Sequence, residues 1–220
     1  MAENNIKHWL EVIEGKFNSG YTLLKSITMK DGAYIKTDYA ATTGFIYEGS
    51  FSFNSLPDTD ISSASVSTWP MGICRNAPTT TANLYIVQDQ KYLKPRFQFV
   101  NGSTLIESEL GEIKKYKCQF KSGSGKLWVN DVQVYGADVS TYNASSVTNS
   151  YVCFGLNSVD TTFFGNQIIY DINGIVVRKM EPAMRRSDGA CGLLDSVTGQ
   201  FYSNASTSKT SSIVGSRVRN

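Results

Sequence analysis

The sequence predicts an all-β protein, an antiparallel sandwich or barrel, with one short amphipathic helix at the N-terminus. Three observations carry this expectation. From Tyr21 onward, apolar residues alternate with small or polar ones in run after run, the period of a strand with one buried face. Turn pairs such as Asp31-Gly32, Asn130-Asp131 and Asn173-Gly174 separate these runs at short intervals, as they do in sandwiches and barrels. Helical spacing occurs in only one place, near the start. A hydrophobic share of 41% and an aromatic share of 12% supply a core.

The helix is expected over residues 4 to 15. Ile6, Trp9, Leu10 and Ile13 fall on one face, continued by Phe17; Asn4 or Asn5 caps the start and Gly15 the end. So short a helix needs something to pack on. It either lies across its own sandwich or fills a partner's groove. In the second case Ile6, Trp9, Leu10 and Ile13 are the docking residues, with Trp9 as the anchor.

The expected strands follow in order. They are Tyr21 to Met29, Ala33 to Thr37, Phe45 to Phe53, Ile61 to Trp69, Leu84 to Gln88, Arg96 to Val100 and Ile113 to Phe120. Residues 75 to 83 and 89 to 95 between them read as loops. Lys126 to Val129 and Val132 to Tyr135 form a tight hairpin, and Tyr151 to Leu156 is a short apolar strand after a loop rich in Ser, Thr and Asn.

The stretch Gln167 to Asn204 closes a sheet. Ile168 to Ile172 and Ile175 to Met180 are joined by Asn173-Gly174, which suits a two-residue type I′ turn. Pro182 lacks an N–H and is expected to end the second of these strands. Cys191 to Leu194 and Gln200 to Tyr202 complete the block. The domain reading is 1–19 for an attachment helix and linker, 20–206 for the sandwich, and 207–220 for a polar tail, with a last strand at Ile213 and Val214 as the alternative.

Composition narrows the function. The 21 basic and 19 acidic residues nearly cancel, leaving +2, so no long-range field gathers nucleic acid or an acidic membrane. No apolar run is long enough to cross a bilayer, and the first residues carry charges where a signal peptide needs an uninterrupted apolar stretch. The expectation is synthesis in a cytoplasm without secretion. Cys74, Cys118, Cys153 and Cys191 form no Cys-x-x-Cys pair and have no histidine cluster, which argues against zinc and for small buried hydrophobes.

The sequence also carries a resemblance. Gly32-Ala33-Tyr34-Ile35-Lys36-Thr37-Asp38, then Lys126-Leu127-Trp128-Val129-Asn130-Asp131, then Phe154-Gly155-Leu156, stand ahead of a terminal pattern: Pro182, Arg185, Arg186, Ser187, Asp188, Gly189, Gly192, Leu193, Leu194, Asp195, Gly199, Phe201, Tyr202 and Asn204. This resembles the concanavalin A-like lectin/glucanase superfamily in its laminin-G-like form. More narrowly, it is similar to laminin-G-like domains in structural proteins of phages and prophages of gut bacteria. Leu194 stands where that pattern usually has an aromatic residue. The resemblance covers residues 20 to 205 and implies two curved antiparallel sheets packed as a jelly-roll sandwich, which decides between sandwich and barrel. It also implies a binding function, often toward carbohydrate, or a place on a virion surface, and it brings no defined catalytic set.

Chemistry is sparse. Glu107, Glu109 and Glu112 are the close acidic set, but they sit at a turn without the apolar flanks that raise a catalytic carboxyl's pKa. His8 is the single histidine, and Asp58-Thr59-Asp60 is too slight for a calcium loop. For sugar stacking the candidates are Trp69, Tyr85, Tyr92, Trp128 and Tyr142; Tyr92 and Tyr142 are expected in loops and are the carbohydrate-binding choices, while the other three fit core positions as well.

The expectation is a non-enzymatic phage virion-surface protein, such as a head fibre, head decoration or tail-associated protein, with no catalytic residue, metal or cofactor. Other virion proteins and host glycans are its partners, without nucleic acid or membrane, and analogy adds a homotrimer. A bacterial lectin module is the alternative, and a glucan hydrolase ranks below both.

Overall fold

The computed structural model describes residues 20–40, 44–54, 68–74, 78–89, 92–99, 102–105, 109–121, 124–137, 151–156 and 160–216, with backbone alone for 68–69, 73–74, 78–89, 92–99, 102–105, 137 and 156. The helix expected over residues 4 to 15 and the strand expected from Ile61 lie mostly or wholly outside these residues. What is described is all strand and turn, in two antiparallel sheets.

The larger sheet runs β11 (Val132–Ala137), β10 (Ser124–Val129), β9 (Lys114–Lys121), β4 (Gly44–Phe53), β13 (Thr161–Tyr170), β14 (Val176–Arg185), β15 (Cys191–Asp195) and β16 (Phe201–Tyr202). The smaller runs β3 (Ile35–Ala40), β12 (Tyr151–Leu156), β5 (Thr68–Cys74), β6 (Pro78–Asp89), β7 (Tyr92–Phe99) and β8 (Gly102–Leu105). Three further strands attach to the larger sheet: β1 (Tyr21–Leu23) along β14, β2 (Ser26–Lys30) along β13, and β17 (Ser212–Gly215) along β2. The architecture is a jelly-roll sandwich.

The inner faces are filled by the alternation seen in sequence. Phe45, Tyr47, Phe51 and Phe53 of β4, Tyr116, Cys118 and Phe120 of β9, and Phe163 and Ile169 of β13 are buried. Phe51 stacks on Tyr116 with ring centroids 4.2 Å apart, and Phe45 on Phe120 at 4.8 Å. The opposite sheet sends in Phe154, which meets Phe163 edge-on at 5.8 Å and Tyr47 at 5.7 Å. Each such ring contributes on the order of 2 kcal/mol by leaving water, so these contacts glue sheet to sheet. Of the cysteines expected to be buried, Cys118 and Cys153 are, whereas Cys191 is only half-buried; burial pushes the Cys118 thiol well up.

β13 does two jobs. Thr161–Phe164 pairs with β2, whereas Gln167–Tyr170 pairs with β14 on the same side. A bulge between Phe164 and Ile168 separates the halves. β14 swings away there, and the bent segment β1–β2 fills the opening. Buried Gln167 holds the bulge: its Nε2 donates to Phe164 O at 2.9 Å and Ser50 O at 3.3 Å, and its Oε1 accepts from Tyr47 Oη at 2.6 Å. A Cβ on Gly49 would lie 2.2 Å from Gln167 Oε1, so only glycine leaves this knot its space.

Several expectations change. The Asn173-Gly174 hairpin is not a two-residue type I′ turn. Only Gly174 has positive φ; Gly174 N donates to Asp171 O, and Asp171 N to Ile175 O. This is a type I turn closed by a glycine bulge. Asp171 Oδ1 accepts from the backbone N of Asn173 and Ile175, and the turn, from Asp171 to Gly174, starts one residue earlier than expected. Pro182 does not end β14. Its carbonyl accepts from Leu24 N, and in an antiparallel ladder the N and O of a residue face the same neighbour. The missing N–H therefore faces the end of the short β1 pairing, and the ladder to β15, with Pro182 opposite Leu193, is intact. The loops expected at 75–83 and 89–95 are largely strand, since β6 and β7 pair from Ala82↔Phe99 to Asp89↔Tyr92. Beyond residue 206 the final strand is realised: Ile213 lies opposite Met29, and Asn204 Nδ2 donates to Ser211 Oγ at 3.0 Å.

Gln167→Leu should cost on the order of 3 kcal/mol, because it strands a buried tyrosine hydroxyl and two carbonyls; Tyr47→Phe, which removes one partner of the bond, should cost about 1 kcal/mol. Chemical denaturation of the two variants and their double mutant checks this. An unchanged midpoint for Gln167→Leu would mean that the bulge holds without its amide.

Candidate functional site

Two constellations stand out among the described residues. The first joins the sheets at one edge. Arg178 on β14 donates from Nε and Nη2 to Asp38 Oδ1 on β3, at 3.0 and 2.8 Å. Tyr202 Oη on β16 donates to the same oxygen. Arg178 Nε also lies 3.5 Å from Asp195 Oδ2, and its guanidinium sits 5.8 Å from the Tyr39 ring centroid. Asp195 is fully buried and accepts from Lys179 N at 2.9 Å, Val197 N at 3.0 Å and Thr198 Oγ1 at 2.7 Å. Burial pulls the Asp38 carboxyl up, but the Tyr202 and Arg178 hydrogen bonds and the arginine charge outweigh it and hold it below 3.8. Burial and the Asp38 contact push the Tyr202 phenol up to about 12. Each group in this cluster is consumed by its neighbours, so it is a clasp between β3 of the smaller sheet and β14–β16 of the larger.

The second constellation lies on the outer face of the larger sheet. β9 reads KKYKCQFK, with Tyr116, Cys118 and Phe120 buried, so Lys115, Lys117, Gln119 and Lys121 point outward. In β10, Leu127 and Val129 are buried and Trp128 between them is not. Trp128, a core-or-platform ambiguity in the sequence, is therefore on the surface.

Strand register sets the rows. Trp128 lies opposite Lys117, Lys117 opposite Glu48, Glu48 opposite Ile168, and Ile168 opposite Lys179. The adjacent row is Lys126, Gln119, Ile46 and Tyr170. Lys117 Nζ is 5.7 Å from the Trp128 ring centroid. Glu48 takes Lys115 Nζ on Oε1 at 3.0 Å and Lys117 Nζ on Oε2 at 3.9 Å. Asp131 and Glu48 hold the Lys115 ammonium above its ordinary value, and burial and Glu48 raise the Tyr170 phenol. An indole face, a carboxylate that accepts hydrogen bonds and ammonium and amide donors thus share one exposed surface, the combination that grips a sugar ring.

The sequence-based site residues fall elsewhere. Ile6, Trp9, Leu10, Ile13 and Tyr142 lie outside the described residues, as does Glu107. Tyr92 does not sit in a loop; it opens β7, opposite Asp89. Glu109 is exposed in a turn where its N–H donates to Glu112 Oε2, and Glu112 also pairs with Lys114 at 3.0 Å, so these carboxylates form a solvated corner. Sequence reasoning missed Lys117, Glu48, Gln119 and Tyr170. The alternation in β9 was there to be read; which strands lie beside it was not.

Neither a protein-family model nor a curated protein matches this chain. Solved structures do resemble it. They include an alginate lyase from Pseudomonas aeruginosa, with 13% identity over 60% of this chain and 66% of that one and a TM-score of 0.40. A marine PL7 alginate lyase from Zobellia galactanivorans shows 15% identity over 66% of this chain and 64% of that one, with a TM-score of 0.40. A Trypanosoma rangeli sialidase shows 14% over 59% and 21%, with a TM-score of 0.42. The likeness therefore spans less than two thirds of each relative. At such identities and TM-scores the likeness goes no further than the fold, the jelly-roll sandwich described above. One expectation is corrected: these relatives are enzymes, so the exclusion of enzymatic activity is withdrawn.

The clasp predicts acid sensitivity with a defined sign. A folded-state pKa held below the unfolded value makes the Asp38 contribution full above about pH 4 and lost as pH falls through the folded value. Tyr202→Phe should shift the acid midpoint of unfolding upward, and Asp38→Asn should flatten the acid limb; thermal melts from pH 2 to 7 read both, and parallel curves for all three proteins would contradict the clasp.

Proposed function

We propose that this chain is a carbohydrate-binding β-sandwich carried on the surface of a bacteriophage particle, with residues 1–19 as its attachment segment and host-surface glycans as its ligands. The observation that carries the binding part is the outer-face row of Trp128, Lys117 and Glu48. A sandwich spends its inner faces on holding its sheets together, so an indole kept out of that core is available to a ligand. The virion setting is supported by the resemblance of the block from Pro182 to Asn204 to laminin-G-like domains of phage structural proteins. Particle partners and a homotrimer belong to the same reading.

Two measurements check it. On a glycan array the full chain should give reproducible hits that Trp128→Ala removes and Tyr202→Phe leaves in place; an array with no hits would count against carbohydrate binding. Mass spectrometry of purified particles should find the chain, and deletion of residues 1–17 should abolish its incorporation while the sandwich still melts cooperatively. Incorporation unaffected by that deletion would move the attachment point elsewhere in the chain.

A further inference from the structure

We infer that the ligand of the outer face is an anionic polysaccharide, one bearing carboxylates or sulfates, bound across β10, β9, β4, β13 and β14. The inference rests on the carbohydrate-binding reading and names its ligand class. The charge on this face is unlike that of the chain as a whole. Lys115, Lys117, Lys121, Lys126 and Lys179 face Glu48, Asp131 and, at the far margin, Glu181, whereas the whole chain carries 21 basic and 19 acidic residues. The local excess of two thus equals the entire net charge. Lys115 is engaged by Glu48 at 3.0 Å and Asp131 at 2.8 Å. Among the described residues, no carboxylate lies within ion-pair distance of Lys121, Lys126 or Lys179. These ammonium groups stand on strands of the sheet, with no paired counter-charge among the described residues.

The spacing also fits a polymer. Five strands from Trp128 to Lys179 at about 4.8 Å each make a row of about 19 Å, which holds several sugar rings rather than one. Along it an aromatic platform comes first, a cation lies beside it, then a hydrogen-bond acceptor, then an apolar side chain and a second cation. Lys117 Nζ lies over the Trp128 ring, 5.7 Å from its centroid, so a sugar that comes to the indole meets this ammonium, which a carboxylate or sulfate on the sugar can pair with. Glu48 in mid-row accepts from sugar hydroxyls. That acceptor favours a glycan over DNA, because sugar hydroxyls donate to a carboxylate and a phosphodiester backbone offers no donor.

The test titrates the full chain by calorimetry with four probes: an oligogalacturonate, a heparin hexasaccharide, cellohexaose and a single-stranded oligonucleotide. Binding of the galacturonate or the heparin fragment is expected, and the tighter of the two identifies carboxylate or sulfate as the anion. Affinity should fall as salt is raised. Lys117→Gln and Lys126→Gln should each weaken it about tenfold, the loss of one charge-assisted contact, while their melting temperatures stay with the parent, and Trp128→Ala should weaken it by a similar factor. Cellohexaose bound as tightly as the anionic probes, through Trp128 and without salt dependence, would overturn the anionic inference and leave carbohydrate binding standing. The oligonucleotide bound more tightly than every sugar, or no sugar bound at all, would overturn both.

Discussion

One buried amide, Gln167, lets a single strand belong to two neighbours. β13 can pair with β2 over its first half and with β14 over its second only because the bulge between Phe164 and Ile168 redirects the backbone. A bulge leaves carbonyls without ladder partners, and buried carbonyls without partners are costly. Gln167 meets that need from inside the core, with Tyr47 and the bare backbone of Gly49 completing the fit. From the divergence follows the gap that β1–β2 fills, and from β2 follows the place for β17. The two ends of the sandwich domain, near residues 21 and 215, are thereby built into one region of the larger sheet.

This knot explains what the sequence hid. An isolated glutamine between Asn166 and Ile168 reads as a polar residue in an apolar run, and no local pattern marks a bulge there. The terminal block, in contrast, was largely legible, and several of its residues now have a stated structural role. Arg185 forks onto Asp188 with contacts of 3.0 and 2.6 Å, and that pairing, with Ala190 N, holds Asp188 down to about 2. A Cβ on Gly192 would meet Tyr202 O at 2.1 Å. Asp195 caps its turn, Tyr202 reaches the clasp, and Asn204 Oδ1 accepts from Tyr34 N at 3.3 Å. The pattern that made the chain resemble a family is thus a recipe for the β14–β15–β16 corner. It encodes geometry, which is why it announced the fold so clearly and the ligand so poorly.

The same logic separates the two constellations on functional grounds. In the clasp every donor has an acceptor within the protein, and the phenol stays protonated because ionising it beside Asp38 would set two anions together. A set of groups so fully satisfied works for stability. On the outer face the donors outnumber the acceptors, and several ammonium groups face water. Exposed charges left unpaired add little to folding, so stability alone gives no reason for lysines to recur along the outward positions of β9 while the intervening residues are core.

Alternation therefore does double duty in β9 and β10. One set of residues, Tyr116, Cys118, Phe120, Leu127 and Val129, is committed to the interior, and substitution there is limited by packing. The other set is free of that limit, and it holds cations, an amide and an indole. Because neighbouring strands fix these side chains about 4.8 Å apart across the sheet, their spacing is set by backbone hydrogen bonds and not by flexible loops. A rigid template of that kind lowers the ordering cost that a ligand would otherwise bear on binding. The core that makes the sandwich stable is in this sense also what presents the face, since each inward aromatic holds its outward neighbour in register.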